Sequence, residues 1–265
     1  MPEKQEDQVQ VRLRDRLGRS FGAVARQYAE ARPRYPDSLL ATIVESGTDA
    51  LELGAGTGLL TETLATHHPR MLVATDLDAQ MLGELRETVP TVPVIVARAE
   101  RLPFPDRHFD LVVVGQAAHW FDLEPAAEEI RRVLRPGGKL ALLWNHRSLQ
   151  VDWVAEFDRI TRAHAVGGVG REIAEAITAT GCFTHFSALQ ASFVHRVDLD
   201  GARSLVESFS HVSTLPPAIR AGVVEEAVEH LRPKADRQGI VSIPYYCEAY
   251  VAHATRDPAD GETNF

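Results

Sequence analysis

Short apolar runs alternate with amphipathic stretches along the first half of the chain. Apolar residues that recur at i, i+3 and i+4 predict helices over residues 59–67, 79–88 and 125–134, and Pro136-Gly137-Gly138 is expected to stop the last of them. The intervening runs are β-branched or Leu-rich, as are strands buried on both faces. They cover residues 50–53, 71–75, 92–97, 111–114 and 139–144. This alternation predicts parallel βαβ units in an α/β fold, with helices on both faces of the sheet.

The rhythm changes after Asn145. Two helical patterns precede a strand-like stretch with alternating apolar residues, and two more separate that stretch from a final strand-like one. In chain order these elements cover residues 153–164, 171–180, 183–196, 199–210, 217–231 and 239–254. The helices between the two strands are therefore expected to form an insertion at about residues 197–238.

Composition and charge narrow the function classes. The 265 residues suffice for a sizeable core, and the formal charge of −9 argues against a nucleic-acid partner, because such surfaces are normally basic. The basic run from Arg12 to Arg19 alternates with leucines and Asp15, which favours a solvated amphipathic helix. Two cysteines and no signal peptide or long apolar span predict a cytoplasmic protein without a membrane partner. The histidines lack metal-ligand spacing, so no metal site is expected.

An apolar run, a glycine-rich turn and a Leu-rich helical stretch follow one another from Leu51-Glu-Leu-Gly-Ala-Gly-Thr-Gly58 onward. This order brings backbone N–H groups and a helix N-terminus up to a ligand. The glycines read G-x-G-x-G and not the G-x-G-x-x-G of dinucleotide sites, and Glu52 would repel a pyrophosphate. Asp76 ends the next apolar run, where a carboxylate can accept hydrogen bonds from both ribose hydroxyls. The pattern favours a ribose-bearing cofactor with a positive centre and no pyrophosphate.

Further motifs follow in the order VATDLDAQML, ARAERLPFPDRHFDLVVV, GQAAHWFD and EEIRRVLRPGGKLALLWN. Together with LELGAGTG they resemble the class I S-adenosylmethionine-dependent methyltransferases, in the small-molecule branch that carries His-Trp-Phe after the fourth strand. The opening FGAVARQYAEARPRYP and the closing VSIPYYCEAYVAHA are similar to that branch as well, so the resemblance covers nearly the whole chain. It implies a Rossmann-like, doubly wound, mostly parallel sheet with an antiparallel edge strand and a small helical cap.

The resemblance also divides the chain. It implies a core that binds S-adenosylmethionine, with an N-terminal lid helix, over residues 21–150, and the C-terminal part of the core with its cap over residues 151–254. The polar ends, residues 1–20 and 255–265, are expected to be a flexible N-terminus and a disordered tail.

The same resemblance implies a set of cofactor-binding residues. Asp76 would hold the ribose hydroxyls, and Met81 would pack against the adenine. Glu52 would position the glycine turn or reach the cofactor's ammonium group through water. Many relatives have an Asp just before Ala99, and this chain departs from them with Arg98. The full set is Tyr28, Arg32, Glu52, Gly54, Gly56, Asp76, Leu77, Met81, Ala99, Glu100 and Gln116.

Tyr28 and Arg32 admit two interpretations. Spaced i, i+4, they share one helical face, and as part of a lid they would cover the methionine carboxylate of the cofactor. Alternatively, the helix simply ends at a proline turn and buries these side chains as packing. The sequence leaves both interpretations open.

His119-Trp120-Phe121 follows the fourth predicted strand and should face the methyl-donor end of the cofactor. His119 is the candidate catalytic residue, either as a base, since an imidazole can take a proton from an acceptor, or as a group that positions the acceptor. Trp120 and Tyr245 are candidate acceptor contacts. Other aromatic and histidine side chains of the second half could line a pocket for a medium-sized metabolite, although for Phe157 and Phe209 a place in the core is favoured. These further candidates are Phe157, His164, Phe209, His211 and Tyr246.

The resulting prediction is an enzyme that methylates an oxygen, sulfur or nitrogen atom of a small metabolite, for example in secondary metabolism, and releases S-adenosylhomocysteine. A monomer or homodimer is expected. The alternative is a protein of this fold that binds the cofactor but acts as a non-methylating biosynthetic enzyme such as a cyclase. A nicotinamide-dependent oxidoreductase is disfavoured by the G-x-G-x-G spacing.

Overall fold

The computed structural model describes residues 31–162 and 170–255. Within these ranges one sheet contains the strands β1 (Asp49–Leu53), β2 (Met71–Asp76), β3 (Val94–Val96), β4 (Phe109–Gly115), β5 (Leu134–Arg147), β6 (Ser187–Val197) and β7 (Val241–His253). The α-helices are α1 (Asp37–Leu40), α2 (Leu59–Thr66), α3 (Ala79–Thr88), α4 (Leu123–Val133), α5 (Asp152–Arg162), α6 (Gly170–Ala179), α7 (Leu199–Glu207), α8 (Ser210–Ser213) and α9 (Pro217–Leu231).

The strands lie in the order β3-β2-β1-β4-β5-β7-β6. β1 to β5 run parallel, and Leu51 of β1 pairs with Val73 on one side and with Val112 on the other. β7 runs antiparallel to both β5 and β6, which gives an antiparallel pair at one edge. The expected Rossmann-like, mostly parallel fold is thereby confirmed. Because the strand order reverses between β1 and β4, ligands are expected beyond the carboxyl ends of these strands.

The central strands are apolar on both faces. Leu51 and Leu53 pack into a core that includes residues of α4 and α6, whereas Ala50 packs into a second core with residues of α1, α2 and α3. The same alternation places Val112 in the first core and Val113 in the second. Burial on both sides explains why these strands read as continuous apolar runs.

Helices α7, α8 and α9 connect β6 to β7 and form a third apolar cluster with α5. Leu205 of α7 and Val224 of α9 are buried there with Phe157 of α5. At the start of β7, Tyr245 belongs to the same cluster and pairs with Arg147 at the end of β5. The three helices, hereafter the cap, therefore lie at the ligand-binding edge of the sheet.

Two predicted element bounds need correction. Helix α4 ends at Val133, just before Pro136-Gly137-Gly138 as expected, but β5 begins at Leu134 and not at residue 139, so these three residues lie inside the strand. The pairing of β5 with β4 shifts register there, and Gly137 takes a φ of +77° that accommodates the shift. The helix predicted over residues 199–210 is interrupted at Phe209, whose extended angles (φ −68°, ψ 127°) separate α7 from α8.

Some predictions concern residues outside the described ranges, namely residues 1–20, Tyr28, His164 and nearly all of the C-terminal tail. Among the described residues, no helix has the length and apolar character needed to cross a bilayer. The same residues bring no three His, Cys, Asp or Glu side chains together as a potential metal site.

Candidate active site

A cavity of about 320 Å³ opens at the carboxyl ends of the parallel strands. Asp76 and Glu100 border it beyond β2 and β3, and this part is called the acidic end. Arg32, Arg147 and Arg162 border it beside β5 and the cap, and this part is called the basic end. Three strand spacings separate β2 from β5, so the two ends lie roughly 14 Å apart.

The glycine turn between β1 and α2 depends on its lack of side chains. Gly54 has a φ of +67°, and a Cβ there would overlap the Cβ of Ala117. Gly56 has a φ of +56°, but a Cβ there would meet only open space. Gly54 is thus required for close packing, whereas Gly56 leaves open backbone beside the cavity that it borders.

Asp76 joins the glycine turn to the end of β2. Its Oδ2 accepts the N–H of Gly56 at 2.8 Å, and its Oδ1 accepts the N–H of Asp78 at 2.8 Å. Burial raises the pKa of Asp76, and the backbone N–H groups of Asp78, Gly56 and Leu77 act in the opposite direction. A carboxylate offers about four lone-pair positions. Both oxygens can therefore still accept hydroxyl donors from a ligand in the cavity.

Apolar and polar groups flank Asp76 at the acidic end. Glu100 accepts the N–H of Asp122 through Oε1 at 2.9 Å, and its Oε2 lies 3.6 Å from Nε of Arg98. Arg98, the departure from the family pattern, borders the cavity beside Glu100. The apolar surface is formed by Leu77, Met81, Ala97 and Ala99. This arrangement suits a flat ring with a polar rim.

Glu52 lies behind the glycine turn, outside the main cavity. It is 1% exposed, accepts the Thr61 hydroxyl at 2.6 Å and borders a smaller cavity of about 60 Å³. Burial raises the pKa of Glu52 to about 8, so the side chain is largely neutral at pH 7. Its contacts suit the positioning of the turn, and the water-mediated contact with an ammonium group stays a prediction.

Gln116 follows β4 with a φ of +59°, a left-handed conformation that is uncommon outside glycine. Its Nε2 lies 3.4 Å from the backbone oxygen of Asn145 at the end of β5. Asn145 donates through Nδ2 to the carbonyl oxygens of Pro33 and Arg34. Its buried Oδ1 has no hydrogen-bond partner among the described residues, which is costly unless a ligand supplies a donor. Asn145 was not among the residues predicted from the sequence.

Arg32 contacts the cap. Its Nε donates to Oγ of Ser208 at 2.9 Å, its Nη2 donates to the Ser208 carbonyl oxygen at 2.8 Å, and its guanidinium carbon lies 5.0 Å from the ring centroid of Phe209. Arg32 also borders the cavity. The contacts are compatible with both a lid and plain packing, and its predicted companion Tyr28 lies outside the described ranges.

His119 and Trp120 occupy a short 3-10 turn, Ala118–Trp120, that follows β4. Both border the cavity, and their ring centroids lie 4.7 Å apart. Ala117, which begins this turn, packs against Gly54. The segment that carries His119 therefore packs against the glycine turn, and His119 itself borders the cavity.

The remaining acceptor candidates divide into two groups. Tyr245 and His211 border the basic end, where burial raises the pKa of Tyr245 and lowers that of His211. Phe209 is buried in the third apolar cluster, as expected, yet it also borders the cavity. Phe157 belongs to the same core, as predicted, and like Tyr246 it does not border the cavity.

Two arginines at the basic end were not predicted. Arg147 follows Asn145 by two positions at the end of β5, so both face the same side of the sheet. Asn145 and Arg147 could have been identified from the sequence, because polar residues with period two at the end of an apolar run indicate one face of a strand end. Arg162 ends α5, where nothing in the sequence distinguishes it from other helical arginines.

Several known proteins are similar to this chain. Residues 51–142 match a family model described as a methyltransferase domain. An uncharacterized methyltransferase of Schizosaccharomyces pombe is 34% identical over 207 residues, which cover 76% of this chain and 82% of the relative. One of Mycobacterium tuberculosis is 32% identical over 229 residues, covering 85% and 92%. These names do not favour the cyclase alternative.

A solved structure supports the fold independently. It is that of a proposed type II methyltransferase from Anaeromyxobacter dehalogenans, and it superposes with a TM-score of 0.63. The two chains are 24% identical, and the alignment covers 84% of this chain and 97% of the other. At that identity the likeness bears on the architecture alone.

Proposed function

Because the chain belongs to the family of S-adenosylmethionine-dependent methyltransferases, we propose that its cavity holds the adenosine part of S-adenosylmethionine at the acidic end and its methionine part near Asn145 and Arg32. The methyl group would then face a small molecule beside Arg147 and Arg162. Asp76 carries this proposal. Its carboxylate holds the glycine turn through Gly56 and also borders the cavity, where ribose hydroxyls can reach it.

The residues present fit this cofactor. Met81 and its apolar neighbours offer a surface for the adenine, and Gly56 offers open backbone beneath the methionine portion. Oδ1 of Asn145, which has no hydrogen-bond partner within the described part of the chain, is an acceptor suited to the ammonium group. Arg32, at the other side of the cavity, is suited to the carboxylate if the lid interpretation holds.

When bound, the cofactor supplies a sulfonium methyl group, and an acceptor atom takes it with its own electron pair while the C–S bonding electrons pass to sulfur. The reaction disperses positive charge, so alignment and exclusion of water account for much of the acceleration. Trp120 and Tyr245 would orient the acceptor. His119 would take the proton released by a hydroxyl or thiol acceptor, whereas a carboxylate acceptor needs no base.

Isothermal titration calorimetry with S-adenosylmethionine and S-adenosylhomocysteine tests the cofactor site. We expect both to bind the wild type, and Asp76→Asn to weaken them by about tenfold or more, because a charged acceptor of ribose hydroxyls is lost. The matched control is Asp200→Asn, at an exposed position in the first turn of α7. A wild type that binds neither compound, or an Asp76→Asn variant that binds them as the wild type does, contradicts the proposal.

A second measurement tests methyl transfer. Candidate acids, thiols and phenols are incubated with S-adenosylmethionine, and mass spectrometry follows both products. Formation of S-adenosylhomocysteine in equal amount with a product heavier by one methylene is the expected result. Conversion of an acceptor without S-adenosylhomocysteine would contradict methyl transfer and indicate a different reaction.

A further inference from the structure

Two guanidinium groups at the basic end share one carboxylate. Nη2 of Arg147 lies 2.7 Å and Nε of Arg162 lies 3.2 Å from the same atom, Oδ1 of Asp158. Within residues 31–162 and 170–255, no second carboxylate lies within 4.0 Å of either guanidinium. The group of three side chains therefore carries one net positive charge.

Arg147 is rigidly held. Its side chain is 7% exposed, and its guanidinium carbon lies 5.0 Å from the ring centroids of both Phe157 and Phe209. Its Nη1 donates to the hydroxyl of Thr161 at 2.9 Å. A guanidinium has five N–H donors, and among the described residues the contacts with Thr161 and Asp158 leave most of them unused. A buried cation with unused donors is costly to maintain unless a ligand uses them.

Among the residues that the structure describes, the other groups facing this end do not neutralise the charge. His211 of α8 has its Nε2 2.7 Å from the Thr161 carbonyl oxygen, and burial, supported by the charges of Arg162, Arg147 and Arg32, lowers its pKa. Burial raises the pKa of Tyr245 of β7, so its hydroxyl stays protonated. His146 of β5 pairs with Glu248. The carboxylates that border the cavity, Asp76 and Glu100, lie at the acidic end.

We propose that Arg147 and Arg162 bind a carboxylate group of the methyl acceptor, so that the acceptors of this enzyme are organic acids. The planar fork of a guanidinium matches the two oxygens of a carboxylate, and Arg147 is already held in place between two rings. The inference rests on the proposed function for the presence of a methyl acceptor. It does not depend on which atom of the acid receives the methyl group.

The cofactor's own carboxylate is a competing occupant of the same arginines. Arg162 is the residue to replace when these two possibilities are tested. Its side chain is 52% exposed, so its replacement should leave the fold intact. Arg147 is too buried for a safe substitution. If the pair serves the acceptor, Arg162→Gln leaves the affinity for S-adenosylhomocysteine unchanged. If it serves the cofactor, that affinity falls.

The test uses the full-length protein saturated with S-adenosylhomocysteine and probes that differ only in charge. Benzoate and hexanoate are titrated by calorimetry against benzamide and hexanamide, with inorganic phosphate as a different anion. We expect at least one acid to bind about tenfold or more tightly than its amide. Arg162→Gln should abolish that preference, and Arg162→Lys should retain part of it. The control Arg171→Gln removes an exposed arginine of α6 that pairs with Glu175, and should change nothing.

Several outcomes would overturn the inference. They are equal binding of acids and amides, an acid preference that survives Arg162→Gln, binding of phosphate but of neither acid, and loss of S-adenosylhomocysteine affinity in Arg162→Gln. The wild-type titration with S-adenosylhomocysteine is made first. Its failure would count against the proposed function, whereas cofactor binding without an acid preference would count against the carboxylate site alone.

Discussion

The guanidinium of Arg32 is bonded to Ser208 twice, once through the serine hydroxyl and once through its carbonyl oxygen. Ser208 lies between α7 and α8, so this pair connects the segment that precedes the sheet to the cap. The contact crosses the edge of the cavity. A substitution of Arg32 should therefore change the affinity of the cavity for its ligand.

Arg32→Ala should weaken the binding of S-adenosylhomocysteine if the lid interpretation holds, because a charged donor near the ligand is lost together with the contact to the cap. A loss of about 1–3 kcal/mol in calorimetry is expected for a hydrogen bond to a charged group. The neighbouring Arg34→Ala is the control, since Arg34 makes an exposed ion pair with Glu62. An unchanged affinity in Arg32→Ala would leave packing as the role of this residue.

Gly54→Ala should destabilise the protein and abolish cofactor binding. The new Cβ would overlap Ala117 and the backbone would keep a φ of +67°, so the turn and the segment that carries His119 must separate. Gly47→Ala is the matched control, because Gly47 also has positive φ (+82°) but open space around it. Urea unfolding should show a loss of about 1–3 kcal/mol from backbone strain in the control and a larger loss in Gly54→Ala. Equal losses would mean that the close approach to Ala117 is unimportant.

Glu52 should make the folded state less stable as the pH rises. Burial raises its pKa from the ordinary 4.5 to about 8, so between these values the folded protein holds a proton that the unfolded chain has released. Stability then falls from about pH 4.5 to about pH 8, by up to roughly 1.4 kcal/mol per pH unit, and levels off above. Glu52→Gln should remove this component of the slope in urea unfolding at pH 5.5 and 8.5, whereas Glu124→Gln, at an exposed position of α4, should not. Identical slopes for all three proteins would contradict a neutral Glu52.

His119→Ala should lower turnover of a hydroxyl or thiol acceptor by about 10²–10⁴-fold if the imidazole is the base. The measurement is the rate of S-adenosylhomocysteine formation across pH 6–9, with His185→Ala as the control because His185 is exposed and does not border the cavity. Retained turnover with the same pH profile would reduce His119 to a positioning group. With a carboxylate as the methylated group, a small effect is expected, since no proton is released.

The architecture could be predicted from sequence because its signals are local. Val112 and Val113 of β4 lie in opposite cores. Because both faces of this strand are buried, its sequence is a continuous apolar run. The glycine turn and Asp76 are also local, because a tight turn and a carboxylate at a strand end need particular residues at fixed spacing. These features identified the family and brought most of the candidate residues to one cavity, although their individual roles stay predictions.

What sequence reasoning missed depends on contacts between distant segments. Phe209 interrupts a helical pattern because its ring packs against Arg32 and Arg147, which are remote in the chain. Pro136 lies in a strand because the pairing with β4 continues past the proline at a shifted register. Arg162 joins the site because Asp158, one helical turn before it, also pairs with Arg147 of β5. None of these contacts between separate elements can be read from a neighbouring sequence position.

Asn145 and Arg147 project from the same face of β5, two residues apart, one toward the proposed cofactor contacts and the other toward the proposed acceptor. A strand advances by roughly 7 Å over two residues, and this one is fixed on both sides by its neighbours. If the proposed function holds, β5 would therefore fix the distance between the contacts of the cofactor and those of the acceptor. Divergence confined to the cap would change which molecules are admitted without altering how far a methyl group has to travel.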